Sequence, residues 1–136
     1  AGNGHDRVIE LLLQRGAEID VQKSDGVTAL MVAATTGHKQ VVNLLLRHGA
    51  EINKQNSSGD TALIGAAWEG HERVVELLLQ RGAEINLQKS NGSTALTSAA
   101  YNGHERVVEL LIRHGADINL QDSNGLTALM TAAGNG

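Results

Sequence analysis

His5, His38, His71 and His104 recur every 33 residues, each directly after a glycine, and with six histidines in the chain a metal site is the first chemistry to test. Zinc needs its ligand atoms at about 2 Å from one centre. Equivalent points of stacked helices stand on the order of 8–10 Å apart, so histidines repeated in this way cannot share an ion without distortion. His71-Glu72 begins like H-E-x-x-H, but the fifth position is Val75 and the second ligand is missing. The expected role of these rings is therefore a capping or inter-unit hydrogen bond, with no metal. Ser24, Ser57, Ser90 and Ser123 recur at the same period inside segments such as Asn56-Ser57-Ser58-Gly59, which assigns their hydroxyls to turn chemistry before nucleophilic attack. The chain has no cysteine, no G-x-S-x-G elbow and no G-x-x-x-x-G-K phosphate loop. The glycines of Gly134-Asn135-Gly136 fall at the end of a helical segment. Neither an enzyme nor a cofactor is expected.

The elements that carry these residues repeat with them. The pattern G-x-T-A-L-x-x-A-A occupies residues 26–34, 59–67, 92–100 and 125–133, and a fixed period of 33 residues is the mark of a stacked array. In the unit that starts at Asn56, residues 56–59 read as a turn and 61–69 as a first helix ended by Gly70. Residues 71–80 read as a second helix, Gly82 closes it in the left-handed conformation, and 83–88 run extended into the next turn. Asp6, Glu72 and Glu105 open second helices and Arg15, His48, Arg81 and His114 close them, as the helix dipole favours. Glu109 and Arg113 are spaced for an i,i+4 ion pair.

The apolar pattern requires neighbours. Val41, Val42, Leu44, Leu45 and Leu46 cover so much of the second helix that one contact face cannot bury them, so that helix must be packed on both sides. Ala33 and Ala34 let an adjacent first helix approach closely, while Leu30 fills the gap. Stability in such an array is approximately a sum of unit and nearest-neighbour terms.

These motifs resemble the ankyrin repeat, a β-turn followed by two antiparallel helices with T-P-L-H-x-A at the first helix. Here Ala29, Ala62, Ala95 and Ala128 replace the proline, and Met31, Ile64, Thr97 and Met130 replace the histidine. The second-helix motif recurs from Gly4, Gly37, Gly70 and Gly103, so the resemblance spans all 136 residues. It implies an all-α solenoid in one array: a partial repeat without its first helix (1–22), full repeats at 23–55, 56–88 and 89–121, and a partial repeat without its second helix (122–136). It also implies a protein-interaction scaffold whose turn tips and first-helix faces form a concave, partner-binding surface.

On that surface the repeats differ from one another. The sequence varies at Val27, Asp60, Ser93 and Leu126, at Met31, Ile64, Thr97 and Met130, and at Val32, Gly65, Ser98 and Thr131. It varies again at Thr35, Trp68, Tyr101 and Gly134 and at Thr36, Glu69, Asn102 and Asn135. Trp68 and Tyr101 are the only aromatic residues and lie one period apart, which puts them side by side on adjacent units. Aromatic rings with a polar handle anchor interfaces. The expected partner-binding patch is Asp60, Ile64, Trp68, Glu69, Thr97, Tyr101 and Asn102, facing a protein or peptide.

A net charge of −4, from 11 basic and 15 acidic residues, argues against binding nucleic acid. No apolar run approaches the roughly 18 residues that cross a membrane, and no leader precedes the array, which fits the cytoplasm or nucleus. The two ends of the array are complementary halves of a repeat, and Ala1-Gly2-Asn3-Gly4 returns as Ala133-Gly134-Asn135-Gly136. The alternative role is thus structural: a segment of a longer array, or head-to-tail self-association into a filament through uncapped termini. Identical blocks such as Gly-His-Glu-Arg-Val-Val-Glu-Leu-Leu at Gly70 and Gly103 suit either recent duplication in a natural array or a consensus-type design.

Overall fold

Each first helix is entered through a threonine. In the computed structural model, which describes residues 4–136, the Oγ1 atoms of Thr28, Thr61, Thr94 and Thr127 accept from the backbone N–H of Met31, Ile64, Thr97 and Met130 at 3.2–3.4 Å. This satisfies one of the otherwise unpaired donors of each first helix. The first helices are α2 (Ala29–Thr36), α4 (Ala62–Glu69), α6 (Ala95–Tyr101) and α8 (Ala128–Asn135). The sequence pattern placed Thr61 inside the helix, whereas its extended backbone makes it the cap and Ala62 the first helical residue. An alanine thus starts each helix where the related motif has proline, and the threonine hydroxyl supplies the initiation.

The second helices are α1 (Gly4–Gln14), α3 (Lys39–Arg47), α5 (Glu72–Gln80) and α7 (Glu105–Arg113). His71 was expected to open α5 but stands just before it and makes no side-chain cap. Its ring points to the preceding repeat instead: Nε2–H donates to the carbonyl of Thr35 at 2.9 Å, and His104 does the same to Trp68 at 2.9 Å. A carbonyl only accepts, so Nε2 carries a proton in both rings. The preceding glycines make room. A Cβ on Gly37 would lie 2.7 Å from Nδ1 of His71, and one on Gly70 would lie 2.6 Å from Nδ1 of His104.

Two helical layers result. The helices α2, α4, α6 and α8 pack successively in one layer, α1, α3, α5 and α7 in the other, and α2, α4 and α6 each pair with the second helix that follows. Among the described residues there are eight helices and no strand. The core lies between layers and repeats: Leu30, Leu63 and Leu96 from first helices, with Val42, Val75, Leu78 and Leu111 from second helices, are all but fully buried. Ala34 and Ala67 are also fully buried, which lets neighbouring first helices approach closely. The expected Glu109–Arg113 pair is not formed. Arg106 instead reaches Glu72 across the repeat boundary at 3.9 Å, both side chains standing well exposed.

Turn tips are joined by ladders that repeat with the helices. The backbone N–H groups of Ser57, Ser90 and Ser123 donate to the carbonyls of Asp25, Ser58 and Asn91 in the preceding tip at 2.8–2.9 Å. Beneath them, Gln22, Gln55 and Gln88 each use Nε2 to bridge their own turn and the glutamine carbonyl one repeat on; for Gln88 the distances are 2.9 Å to Gly92 and 3.0 Å to Gln121. At Gly59 (φ +84°) an added Cβ would stand 2.8 Å from the backbone of Lys89 and Ser90, so the tips touch where a side chain would intervene. Gly59→Ala combines a strained φ with this collision, whereas Gly82→Ala (φ +90°) meets no atom within 4 Å. Urea unfolding should therefore show a loss of about 1–3 kcal/mol from conformation alone at Gly82 and a larger loss at Gly59.

Candidate binding groove

The first helices and the turn tips enclose an open groove of about 740 Å³. Its floor comes from the middle turns of the helices: Met31 of α2, Ile64 and Gly65 of α4, Thr97 and Ser98 of α6, and Thr131 of α8. One wall is formed where these helices end, by Thr35, Thr36, Trp68 and Tyr101. The other wall belongs to the tips and includes Asp60, Lys89, Asn91, Asp122 and Leu126. Successive first helices pack side by side, so residues one period apart become lateral neighbours along the groove.

Trp68 and Tyr101 show this most directly. Their ring centroids are 5.3 Å apart with an interplanar angle of 16°, a stacked pair. The rings remain 45% and 50% exposed, so they are not core residues. The backbone beneath them is held. The Trp68 carbonyl, at the end of α4, accepts both from Asn102 Nδ2 at 2.8 Å and from His104 Nε2 at 2.9 Å. Asn135 Nδ2 reaches the Tyr101 carbonyl in the same way at 3.3 Å.

The other expected patch residues have different surroundings. Ile64 and Thr97 line the groove but are buried, because they face the seam between neighbouring first helices and only their edges reach the floor. Thr97 Oγ1 also accepts from the Thr94 N–H at 2.7 Å and donates to the Thr94 carbonyl at 3.0 Å, which completes a capping box. Asp60 lies half-buried in the tip wall, its Oδ1 3.1 Å from Lys89 Nζ of the next repeat. Glu69 is exposed beside Trp68, and Asn102 is exposed but turned to the Trp68 carbonyl; neither lines the groove.

Lys89, Asn91 and Asp122 are lining residues that the sequence pattern did not single out. Position 89 varies among repeats as Lys23, Asn56, Lys89 and Asp122, so the signal was present in the first residue of each turn. Among the charged lining residues, Asp60 is paired with Lys89, while Asp122 has no ion-pair partner among the described residues. One oxygen of Asp122 accepts from the N–H groups of Asn124 and Leu126 at 2.8 and 2.9 Å, so the groove retains one uncompensated carboxylate. Among the described residues no group of three or more His, Asp or Glu is placed to hold a metal ion. No helix among them is long and apolar enough to cross a membrane.

Stacked helical hairpins with a continuous groove along one layer define a solenoid repeat protein. The family model for ankyrin repeats (3 copies) matches residues 1–89 and 81–136, and the chain belongs to the ankyrin repeat family. Its members are generally protein–protein interaction modules, and the family is typically non-catalytic. No curated protein matches the sequence.

Proposed function

We propose that this chain is a non-catalytic interaction module that holds a partner protein or peptide along the groove, with Trp68 and Tyr101 as anchors. The observation that carries this is the exposed aromatic stack. Two rings that fill no core and stand half in solvent offer a rigid apolar surface with polar edges, the chemistry that dominates interface energies. Glu69 and Asn102 flank the rings, Ile64 and Thr97 supply the floor beside them, and Asp60 contributes from the tips through its pair with Lys89. A pull-down with immobilised wild type and with the Trp68→Ala, Tyr101→Ala double variant tests this. The retained partner should be lost from the variant; equal retention by both would overturn the proposal.

The end faces of the stack favour a second, structural role. Leu12 is 56% exposed although Leu45, Leu78 and Leu111 at the equivalent position are buried, and Leu129 is 78% exposed where Leu30, Leu63 and Leu96 are buried. One face presents α1 and the other α8, the second and first halves of a repeat, and a second copy of this chain packed end to end would cover these leucines. Part of the matching terminal segment, residues 1–3, lies outside the described residues. For the 136-residue polypeptide, light scattering should show a mass that rises with concentration if such packing operates between molecules. A constant monomeric mass would dispose of it.

A further inference from the structure

Three hydrogen-bond ladders cross the repeat boundaries at fixed offsets. The tip N–H groups of Ser57, Ser90 and Ser123 reach back one repeat, and the amides of Gln22, Gln55 and Gln88 reach forward one. A third ladder joins the loops after the second helices: Glu51, Glu84 and Asp117 donate backbone N–H to the side-chain oxygens of Asp20, Asn53 and Asn86 at 2.8–3.0 Å. Each ladder ends in complementary groups at the two faces of the stack. At the α8 end these are the Asn124 carbonyl, the Gln121 amide and Asn119 Oδ1; at the α1 end they are the Ser24 N–H, the Gln22 carbonyl and the Glu18 N–H. All six residues are exposed.

Charge matches along the same faces. Across repeat boundaries Arg81 donates to Asn43 Oδ1, and Arg106 meets Glu72 at 3.9 Å. Carried on by whole periods past the end of the stack, the first spacing sets Arg15 against Glu109, and the second sets Arg7 against Glu105. Arg15, Glu105 and Glu109 have no ion pair among the described residues, while Arg7 lies 3.8 Å from Glu10 of its own helix.

We propose that a second copy of this chain seats its α1 face on the α7–α8 face of the first in the register that continues the stack. Residue 4 of the second copy then takes the place of residue 136 of the first, a step of 132 residues or four periods of 33. The proposal rests on the end-to-end packing of the two end faces and adds its register and charge pairing. Each ladder gains a rung, and Leu12 and Leu129 enter the surroundings in which their equivalents are buried. Residues 1–4 of the second copy give way to residues 133–136 of the first, whose sequence they repeat. The contact joins unlike faces, so copies add in a line without closing.

Sedimentation velocity at low ionic strength tests this on the wild type, on Arg15→Glu, on Glu109→Arg and on an equimolar mixture of the two variants. The wild type should associate as its concentration rises. Each variant alone sets like charges face to face and should associate about tenfold more weakly. Its thermal midpoint in dilute solution should not change, since both side chains are exposed. In the mixture every junction between unlike copies regains opposite charges, so association should return to near that of the wild type. Undiminished association of both variants, or a mixture no better than its components, would overturn the register and leave end-to-end packing standing. A wild type that stays monomeric at every concentration would overturn the packing and the register with it.

Discussion

Leu78→Ala is expected to lower the free energy of unfolding by about 2–5 kcal/mol, whereas Leu12→Ala should cost under about 1 kcal/mol. Both leucines hold the same repeat position in a second helix and lose the same atoms. Leu78 of α5 is 0% exposed between α3 and α7, while Leu12 of α1 is 56% exposed. Truncating a buried leucine loses its transfer free energy and leaves a cavity that its neighbours only partly close. Truncating an exposed one does neither. For a chain of this length the Leu78 change corresponds to a fall on the order of 10 °C in Tm. Parallel urea titrations of the two variants check the contrast; equal losses would mean that repeats do not stabilise one another through this layer.

The second large effect concerns binding. Trp68→Ala should weaken the captured partner by about 2 kcal/mol or more, roughly 30-fold or greater, because buried aromatic anchors carry most of an interface's energy. Tyr101→Ala should also weaken it. The two losses should not add, since each ring is the other's stacking partner at 5.3 Å and removal of one leaves the other less ordered. Stability should change little in both, as the rings are half-exposed. Calorimetry on the four members of this mutant cycle measures both terms, and a Trp68→Ala loss well under 1 kcal/mol would remove the patch as an anchor.

Much of this architecture was legible because a period of 33 residues converts chain distance into spatial adjacency. Trp68 and Tyr101 could be set side by side from their numbers alone, and the structure stacks them. The inter-unit bond of His71 and His104 was foreseeable in kind, but its acceptors, the carbonyls of Thr35 and Trp68, depend on how far one repeat is offset from the next. Periodicity says nothing about depth. Ile64 and Thr97 lie on the varying face, yet they are buried, because the seam between first helices passes over them. The glutamine ladder of Gln22, Gln55, Gln88 and Gln121 is hidden in the sequence for another reason: amides in extended segments look like solvated polar residues until their carbonyl partners are placed. Lys89 reads as the start of a turn, and only the neighbouring tip supplies Asp60 as its counter-charge.

The central claim is that partners engage the groove at the aromatic stack, and Trp68, as the only tryptophan, reports on that place alone. The most direct measurement is its emission spectrum during titration with the partner retained by the wild-type chain, with binding followed independently by calorimetry. Engagement of the groove should shift the emission to the blue and saturate at the calorimetric stoichiometry, as the indole passes from half-solvated to buried. Saturable heat of binding with an unchanged Trp68 spectrum would place the partner elsewhere on the molecule and contradict the claim.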